Sequence, residues 1–385
     1  MSAIHNPKIK MKNNHTPVPP VSLPVGPATA AVDCAHLAER AFLRNVATHT
    51  LAHYTGIVSL HGLARLALSV TDSAERERLL ALVREHLTPF LNNGVDGHTT
   101  WAGSCNFPNY RVGGNGAAYL FWQGQLPNTD PAIFEAAADQ IMTKAPRDRN
   151  GVLSHPADVP AEKIWIDVAF AVTPFLLFTG LALKRDDLVQ EAWNQIRDHL
   201  KFLLDPATGL INQARNFRGP GHRSQDHWSR GNGWGILALT ELINYLPDTH
   251  PARPEAEAAF TSHVAACIRV QDTAGLWHQE LTRHDSFVET SGTSLILYAI
   301  GAGLERGLLG AEARTAFEKG IRALLSYVAV DGSVHNTCVG CLSPGQGTIE
   351  DYMNHPHRLN DPHAFGPVTL ALTQALRLGI KSIAI

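Results

Sequence analysis

The stretch IWIDVAFAVTPFLLFTGLAL, residues 164–183, carries a single ionisable side chain, Asp167, between apolar neighbours on both sides. An ionised carboxylate buried without a partner costs several kcal/mol, so such a group is either paired or holds its proton to a higher pH than usual. A carboxylic acid that keeps its proton toward neutral pH can donate it to a reacting carbon or oxygen. A buried aspartate can equally cap a turn or pair with an arginine, and the residues alone leave both readings open.

Two further stretches bear on the choice. Upstream, APRDRNGVLSH brings Arg147 and His155 into the loop that feeds this segment. Downstream, HWSRGNGWG places His227, Trp228, Arg230 and Trp234 at the start of a helical pattern, interleaved with glycines that propensity would not select. Indole rings stack on sugar faces, a guanidinium grips a carboxylate with two parallel bonds, and glycines let a ligand approach the backbone. The combination is expected to hold an acidic sugar, with the alternative that the tryptophans are core anchors.

The elements that position these residues repeat along the chain. Short turns, VDGHTT, RNGVLSH, TGLINQ, AGLWHQ and DGSVHN, place Gly97, Gly151, Gly209, Gly275 and Gly332 at intervals near 60 residues. Between them, apolar spacing of three and four predicts twelve helices, at about 35–49, 55–70, 73–90, 114–125, 130–143, 164–183, 185–203, 231–246, 251–271, 290–306, 311–328 and 363–379. Helices 185–203 and 251–271 carry charge on one face, whereas 164–183 is apolar nearly all round and belongs inside. The expectation is an all-α fold, an (α/α)6 barrel or six-hairpin toroid in a single domain over residues 34–385, with an open helical solenoid as the alternative. Residues 1–33, rich in Pro and Asn without periodicity, are expected to form a flexible arm.

Composition narrows the function classes. Of 385 residues, 17% are charged and the net charge is −3, with no basic run, which disfavours nucleic acid and anionic membranes as partners. The first residues lack the apolar core of a signal peptide, and no run is read as long enough to span a bilayer, so a cytoplasmic location is expected. Five scattered cysteines argue against a disulfide framework, and Cys338 and Cys341 form a lone C-x-x-C pair.

In order and spacing, IWIDVAFAVTPFLLFTG, HWSRGNGWGILALTELINYLP and GLWHQELTRHDSFVETSGTSLILYAIGAGLERGLL resemble glycoside hydrolase families 88 and 105, the unsaturated uronyl hydrolases. PRDRNG and NDPHAFGPVTLAL add to the likeness, which runs from about residue 35 onward. The resemblance implies an (α/α)6 barrel and removal of a 4,5-unsaturated uronic acid from lyase-generated oligosaccharides, with neither metal nor organic cofactor. It implies that Asp167 protonates C4 of the double bond and then, as carboxylate, activates water to add at C5. It places His155, Trp228, Arg230 and Trp234 in the sugar subsite. The substrate it implies is an acidic oligosaccharide; a monomer or homodimer is expected.

Two positions depart from the family pattern. Residues 101–125 contain no Asp or Glu, so Asn109 stands where a second active-site aspartate is usual, and Gln213 stands for a substrate-binding histidine. An amide can hydrogen-bond a hydroxyl but carries no charge. His222, His227, His357 and His363 are candidates to compensate. A saturated glucuronide hydrolase on the same barrel would need a second carboxylate, for which Glu289 and Asp361 are candidates. A non-catalytic sugar-binding descendant is the third reading; sugar epimerases, which use the same barrel, fit these motifs poorly.

Overall fold

In the computed structural model, which describes residues 31–93, 107–154 and 162–384, the glycine turns are the repeating joints. Gly151, Gly209, Gly275 and Gly332 all have positive φ, between 75° and 104°, a region open to glycine at no steric cost. An aspartate braces each turn by accepting main-chain N–H bonds: Asp148 from Val152, Asp205 from Ala207, Asp272 from Gly275 and Asp331 from Ser333. The fifth turn, at Gly97, lies outside the described residues, as do His155 and residues 1–30.

Between the turns run the helices α1 (Cys34–Thr48), α2 (Tyr54–Ala67), α3 (Ser73–Asn93), α4 (Gly114–Trp122), α5 (Pro131–Lys144), α6 (Ile166–Leu183), α7 (Asp186–Leu203), α8 (Ser229–Tyr245), α9 (Arg253–Arg269), α10 (Thr290–Glu305), α11 (Ala311–Leu324), α12 (Ile349–Met353) and α13 (Phe365–Arg377). The twelve long ones match the apolar periodicity; α12, at five residues, is too short for any period to show. Every described residue of α2, α10 and the first eleven positions of α13 is buried, bar the last two of α10. By contrast α7 buries Leu188, Val189, Ala192, Trp193, Ile196 and Leu203 along one stripe.

The largely buried helices pack in sequence: α2 on α4, α4 on α6, α6 on α8, α8 on α10, α10 on α13, and α13 on α2. The others lie outside them, α7 against α6, α9 against α8 and α11 against α10. This packing is consistent with an (α/α) toroid. Neighbouring inner helices run parallel, because contacts advance together along both. Gly292 abuts Ser229 and Leu295 abuts Gly233 on α10 and α8, while Val58 abuts Gly366 and Gly62 abuts Thr369 on α2 and α13. The interior is filled. Arg65 from α2 lies 5.0 Å and 5.1 Å from the Tyr119 and Tyr245 rings, and Tyr298 donates to Glu241 Oε1 at 2.6 Å.

Among the described residues, three two-stranded antiparallel pieces clip the loops. They pair β1 (Ala31–Asp33) with β6 (Ser382–Ala384), β2 (Ile164–Trp165) with β3 (Ala214–Arg215), and β4 (Thr337–Cys338) with β5 (His357–Arg358). The first pair corrects the arm boundary. Residues 31–33 are ordered by Val32 opposite Ile383, and Asp33 caps α1 by accepting from His36 N at 2.7 Å. A second correction concerns membrane spans: by length and composition α6, with 18 residues, is apolar enough to cross a bilayer. Its 18-residue window is 83% buried inside the protein, among α4, α5, α7 and α8.

Candidate active site

Asp167 lies in the first turn of α6 and is 2% exposed. Its start is fixed by β2 pairing with β3 and by Ile166 N donating to Gln213 O at 3.0 Å. The carboxyl Oδ2 finds no hydrogen-bond partner among the described residues. Burial raises its pKa to about 6, against the opposing pull of the Arg230 charge and of its own backbone N–H. Desolvation wins here although a helix N-terminus and an arginine both favour the anion. The result is an acid whose proton is available near neutrality.

Arg230 is fully buried in the first turn of α8, as its second residue. Its guanidinium donates to Cys338 O at 2.7 Å, Val339 O at 2.6 Å and Ser291 Oγ at 3.2 Å, and stands 4.0 Å from Glu289 Oε1. Burial works against its charge, but Cys338, Glu289, Tyr54 and Asp361 around it more than offset that, so its pKa is raised. The expected grip on a ligand carboxylate is thus already taken up in large part by the carbonyls of the 338–339 loop. Its Nε has no partner among the described residues, and the guanidinium sits 4.5 Å from the Trp228 ring centroid.

The two tryptophans of the motif are buried and each has a face occupied by protein. Trp228 stacks on Tyr352 with centroids 5.2 Å apart, and Trp234 on Phe170 at 3.9 Å. What they leave unpaired among the described residues is each indole N–H. The interleaved glycines correct the expectation of a ligand close to the backbone. A Cβ on Gly233 would lie 2.7 Å from Leu295 Cδ1, and one on Gly235 would lie 2.5 Å from Ile211 Cδ1. They are small because neighbouring elements press on α8.

Asn109 precedes α4 in a short 3-10 turn, Pro108–Val112. Its Nδ2 donates to Ala171 O at 2.7 Å, and Asn115 Nδ2 donates to Phe170 O at 3.1 Å. Pro174, inside α6, has no N–H to offer the Phe170 carbonyl four residues back. The Asn109 Oδ1 atom is buried and unpartnered among the described residues.

The family model for Glycosyl Hydrolase Family 88 matches residues 36–379, an interval that contains all of these side chains. The chain belongs to that family. It is similar to the unsaturated rhamnogalacturonyl hydrolase YesR of Bacillus subtilis strain 168, 27% identical over 299 residues that cover 74% of this chain and 79% of that protein. In structure it is similar to a possible member of the GH105 family from Klebsiella pneumoniae, with TM-score 0.76 at 21% identity over 95% of this chain and 100% of the other. It is also similar to the unsaturated glucuronyl hydrolase of Bacillus sp. GL1, with TM-score 0.58 at 14% identity over 91% and 96% of the two chains. At such identities the structures speak to the fold alone.

Other candidate residues of this Family 88 chain are engaged elsewhere. Arg147 bonds Glu191 Oε1 of the outer helix α7 at 2.6 Å and Gly151 O at 2.7 Å. Gln213 is fully buried; its Nε2 donates to Leu342 O at 3.3 Å and its Oε1 accepts from the Tyr352 hydroxyl. His227 lies 3.0 Å from Asp205 Oδ2 and 3.4 Å from Glu280 Oε1, and although burial opposes its charge these carboxylates raise its pKa. His222 and His357 are exposed.

Both candidates for a second carboxylate are spoken for. Glu289 caps α10, accepting from Ser291 N, Gly292 N and Cys338 N at 3.1, 2.6 and 3.1 Å. Asp361 accepts from Arg358 Nε at 2.7 Å and lies 2.5 Å from His363 Nδ1. Burial opposes ionisation of Asp361, but His363 and the Arg230 charge hold its pKa down to about 2. The sequence reading missed Tyr54, Tyr352 and Asp226. Asp226 is fully buried, and desolvation together with Glu280 pushes it up to about 6. Its place beside HWSRGNGW was the available signal.

Proposed function

We propose that this chain is a glycosidase that removes a 4,5-unsaturated uronic acid, glucuronyl or galacturonyl, from lyase-generated oligosaccharides. The observation that carries the reading is Asp167: buried at the start of an inner helix, with one carboxyl oxygen unpartnered among the described residues and its pKa pushed up to about 6. Family membership supports the glycosidase class. The names of similar proteins, an unsaturated rhamnogalacturonyl hydrolase and an unsaturated glucuronyl hydrolase, support the substrate class.

In this reading the six inner helices form a closed (α/α)6 barrel whose N-terminal ends frame the sugar. Asp167 gives its proton to C4 as the C4=C5 electron pair forms the new C–H bond. Water adds to the electron-poor C5, and its released proton returns to the Asp167 carboxylate. The hemiketal at C5 then opens, and the leaving sugar departs. Trp228, Arg230 and Trp234 bind the sugar through the indole N–H groups and the guanidinium Nε that lack a partner among the described residues, and Asn109 offers its equally unpartnered Oδ1 to a substrate hydroxyl. Engagement of Glu289 and Asp361 in capping and ion pairing disfavours the saturated-glycoside alternative, which needs a second carboxylate able to take up water or sugar.

The experiment follows the ultraviolet absorbance of the conjugated double bond in lyase-generated disaccharides. Loss of absorbance with wild type and none with Asp167→Asn is the expected result. A wild type that leaves every unsaturated uronide untouched overturns the reading.

A further inference from the structure

Beside the strand that leads into α6 lies a cavity of about 420 Å³, lined by Arg149, Glu162, Ile164, Arg215, Asn216 and the Asp148 turn. That volume is in the range of small-ligand sites. Its walls are braced by the chain itself. Asp148 is buried and accepts from Asn150 N at 2.9 Å and Asn150 Nδ2 at 2.8 Å, so its charge is spent within its own turn. Asn216, at a φ of 70°, donates to Glu162 O at 2.6 Å and accepts from Gly221 N at 2.7 Å, which ties two sides of the cavity together.

Two guanidinium groups border this space. The backbone of Arg215 lies between Ile164 and Arg223, and its guanidinium rests 4.4 Å from the Phe202 ring centroid. Arg149 is exposed on the turn that Asp148 braces. Among the described residues, no hydrogen bond or ion pair takes up the guanidinium of either. With Asp148 engaged, the free charges lining the cavity are two cations and the Glu162 carboxylate, an excess of one positive charge. A guanidinium fork matches a carboxylate or a sulfate ester, and a carboxylate accepts from sugar hydroxyls.

The cavity stands beside the candidate active site. Ile164 precedes Asp167 by three peptide units, which span at most about 11 Å. The other walls belong to the turn after α5 and to the loop between β3 and α8, segments that feed the N-terminal ends of α6 and α8 where Asp167 and Arg230 stand. A sugar unit beyond the one processed at Asp167 falls within that reach.

We propose that this cavity binds an anionic unit on the leaving side of the oligosaccharide, one that bears a carboxylate or a sulfate ester, through Arg149 and Arg215, with Glu162 accepting from its hydroxyls. The inference rests on the acidic-oligosaccharide reading above and names the substrate beyond the scissile linkage. These contacts are remote from the reacting carbons and are the same in the ground and transition states, so they act on KM rather than kcat.

The test measures kcat and KM of wild type, Arg149→Glu and Arg215→Gln on three sets of lyase-generated unsaturated oligosaccharides, whose remaining units are neutral, carry carboxylates or carry sulfate esters. For each variant kcat/KM is expected to fall about tenfold on an anionic set, through KM and less steeply at high salt, and to stay within about twofold on the neutral set. Which anionic set shows the loss identifies the group bound. Thermal midpoints check folding, and the exposed Arg149→Glu carries the test if Arg215→Gln is unstable. Unchanged kcat/KM on every set, or an equal loss on neutral and anionic sets, overturns this inference and leaves the hydration reading standing. A wild type that turns over none of them overturns the hydration reading; calorimetric titration of the same oligosaccharides then decides the cavity, and equal affinity of wild type and Arg149→Glu for the anionic sets overturns it.

Discussion

Asn115 donates its side-chain amide to the Phe170 carbonyl at 3.1 Å, the acceptor that Pro174 leaves without a helical partner. The apolar helix that presents Asp167 is therefore completed by a residue some 55 positions earlier. Asn115→Ala removes the donor and leaves a buried carbonyl unpaired, at an expected cost of about 1–3 kcal/mol. Pro174→Ala restores the missing N–H, so in the double variant the loss should shrink. Thermal or denaturant unfolding of the four proteins measures the coupling. Additive losses would mean that the bond does not substitute for the helical one.

Asp167→Asn should raise stability above pH 6. The folded-state pKa of Asp167 lies above its unfolded value, so between about 4 and 6 the native state holds the extra proton and stability falls as pH rises. Above that window the penalty is constant at up to about 3 kcal/mol, and an uncharged amide removes it. Midpoints for wild type and variant at pH 4 and pH 8 check this. The variant should gain at pH 8 relative to pH 4 while losing activity by at least about 10³-fold.

The rate should follow the same group. With Asp167 protonated in the free enzyme as the general acid, kcat/KM should decline tenfold per pH unit above about 6. A pH profile on an unsaturated disaccharide measures that limb. A limb displaced by two or more units would assign the proton donor to another group.

Arg230→Lys should loosen the 338–339 loop. The guanidinium holds two successive carbonyls, at 2.7 and 2.6 Å, and an ammonium on a flexible stem does not reproduce that fork. A stability loss of about 2 kcal/mol and faster amide exchange over residues 337–342 are expected. Unchanged exchange there would show that β4 and β5 hold the loop without Arg230.

Gly233→Ala sets helix propensity against packing. Alanine is better in a helix by about 1 kcal/mol, but its methyl would lie 2.7 Å from Leu295 Cδ1 and 2.8 Å from Leu295 Cβ. Overpacking costs about 1–3 kcal/mol and should win, lowering the unfolding midpoint. Leu295→Ala should cost less beside Ala at 233 than in the wild type, a coupling that a double-mutant cycle measures.

Periodicity made the twelve long helices legible, and the composition of each stripe separated buried from one-sided helices. Both follow from solvent exposure at a spacing of 3.6 residues, a local property written into neighbouring positions. The glycine turns were legible for a similar reason, since a positive φ selects glycine at the residue itself. Asp167 stood out because a carboxylate amid apolar neighbours violates the same local rule.

Partners across the fold were decided by tertiary structure alone. Arg230 promised a bidentate grip, and the fold turned most of it onto the carbonyls of Cys338 and Val339, more than 100 residues away. Glycines that suggested a ligand against the backbone make room for Leu295 and Ile211. Tyr54 gave no signal of its own; its hydrogen bond to His363, 309 positions later, and that of His363 to Asp361 exist only in the folded chain. A side chain's type states what it can bond, and local pattern states whether it is buried. Which group meets it is set by helix packing, which brings together residues whose separation in sequence carries no trace of their contact.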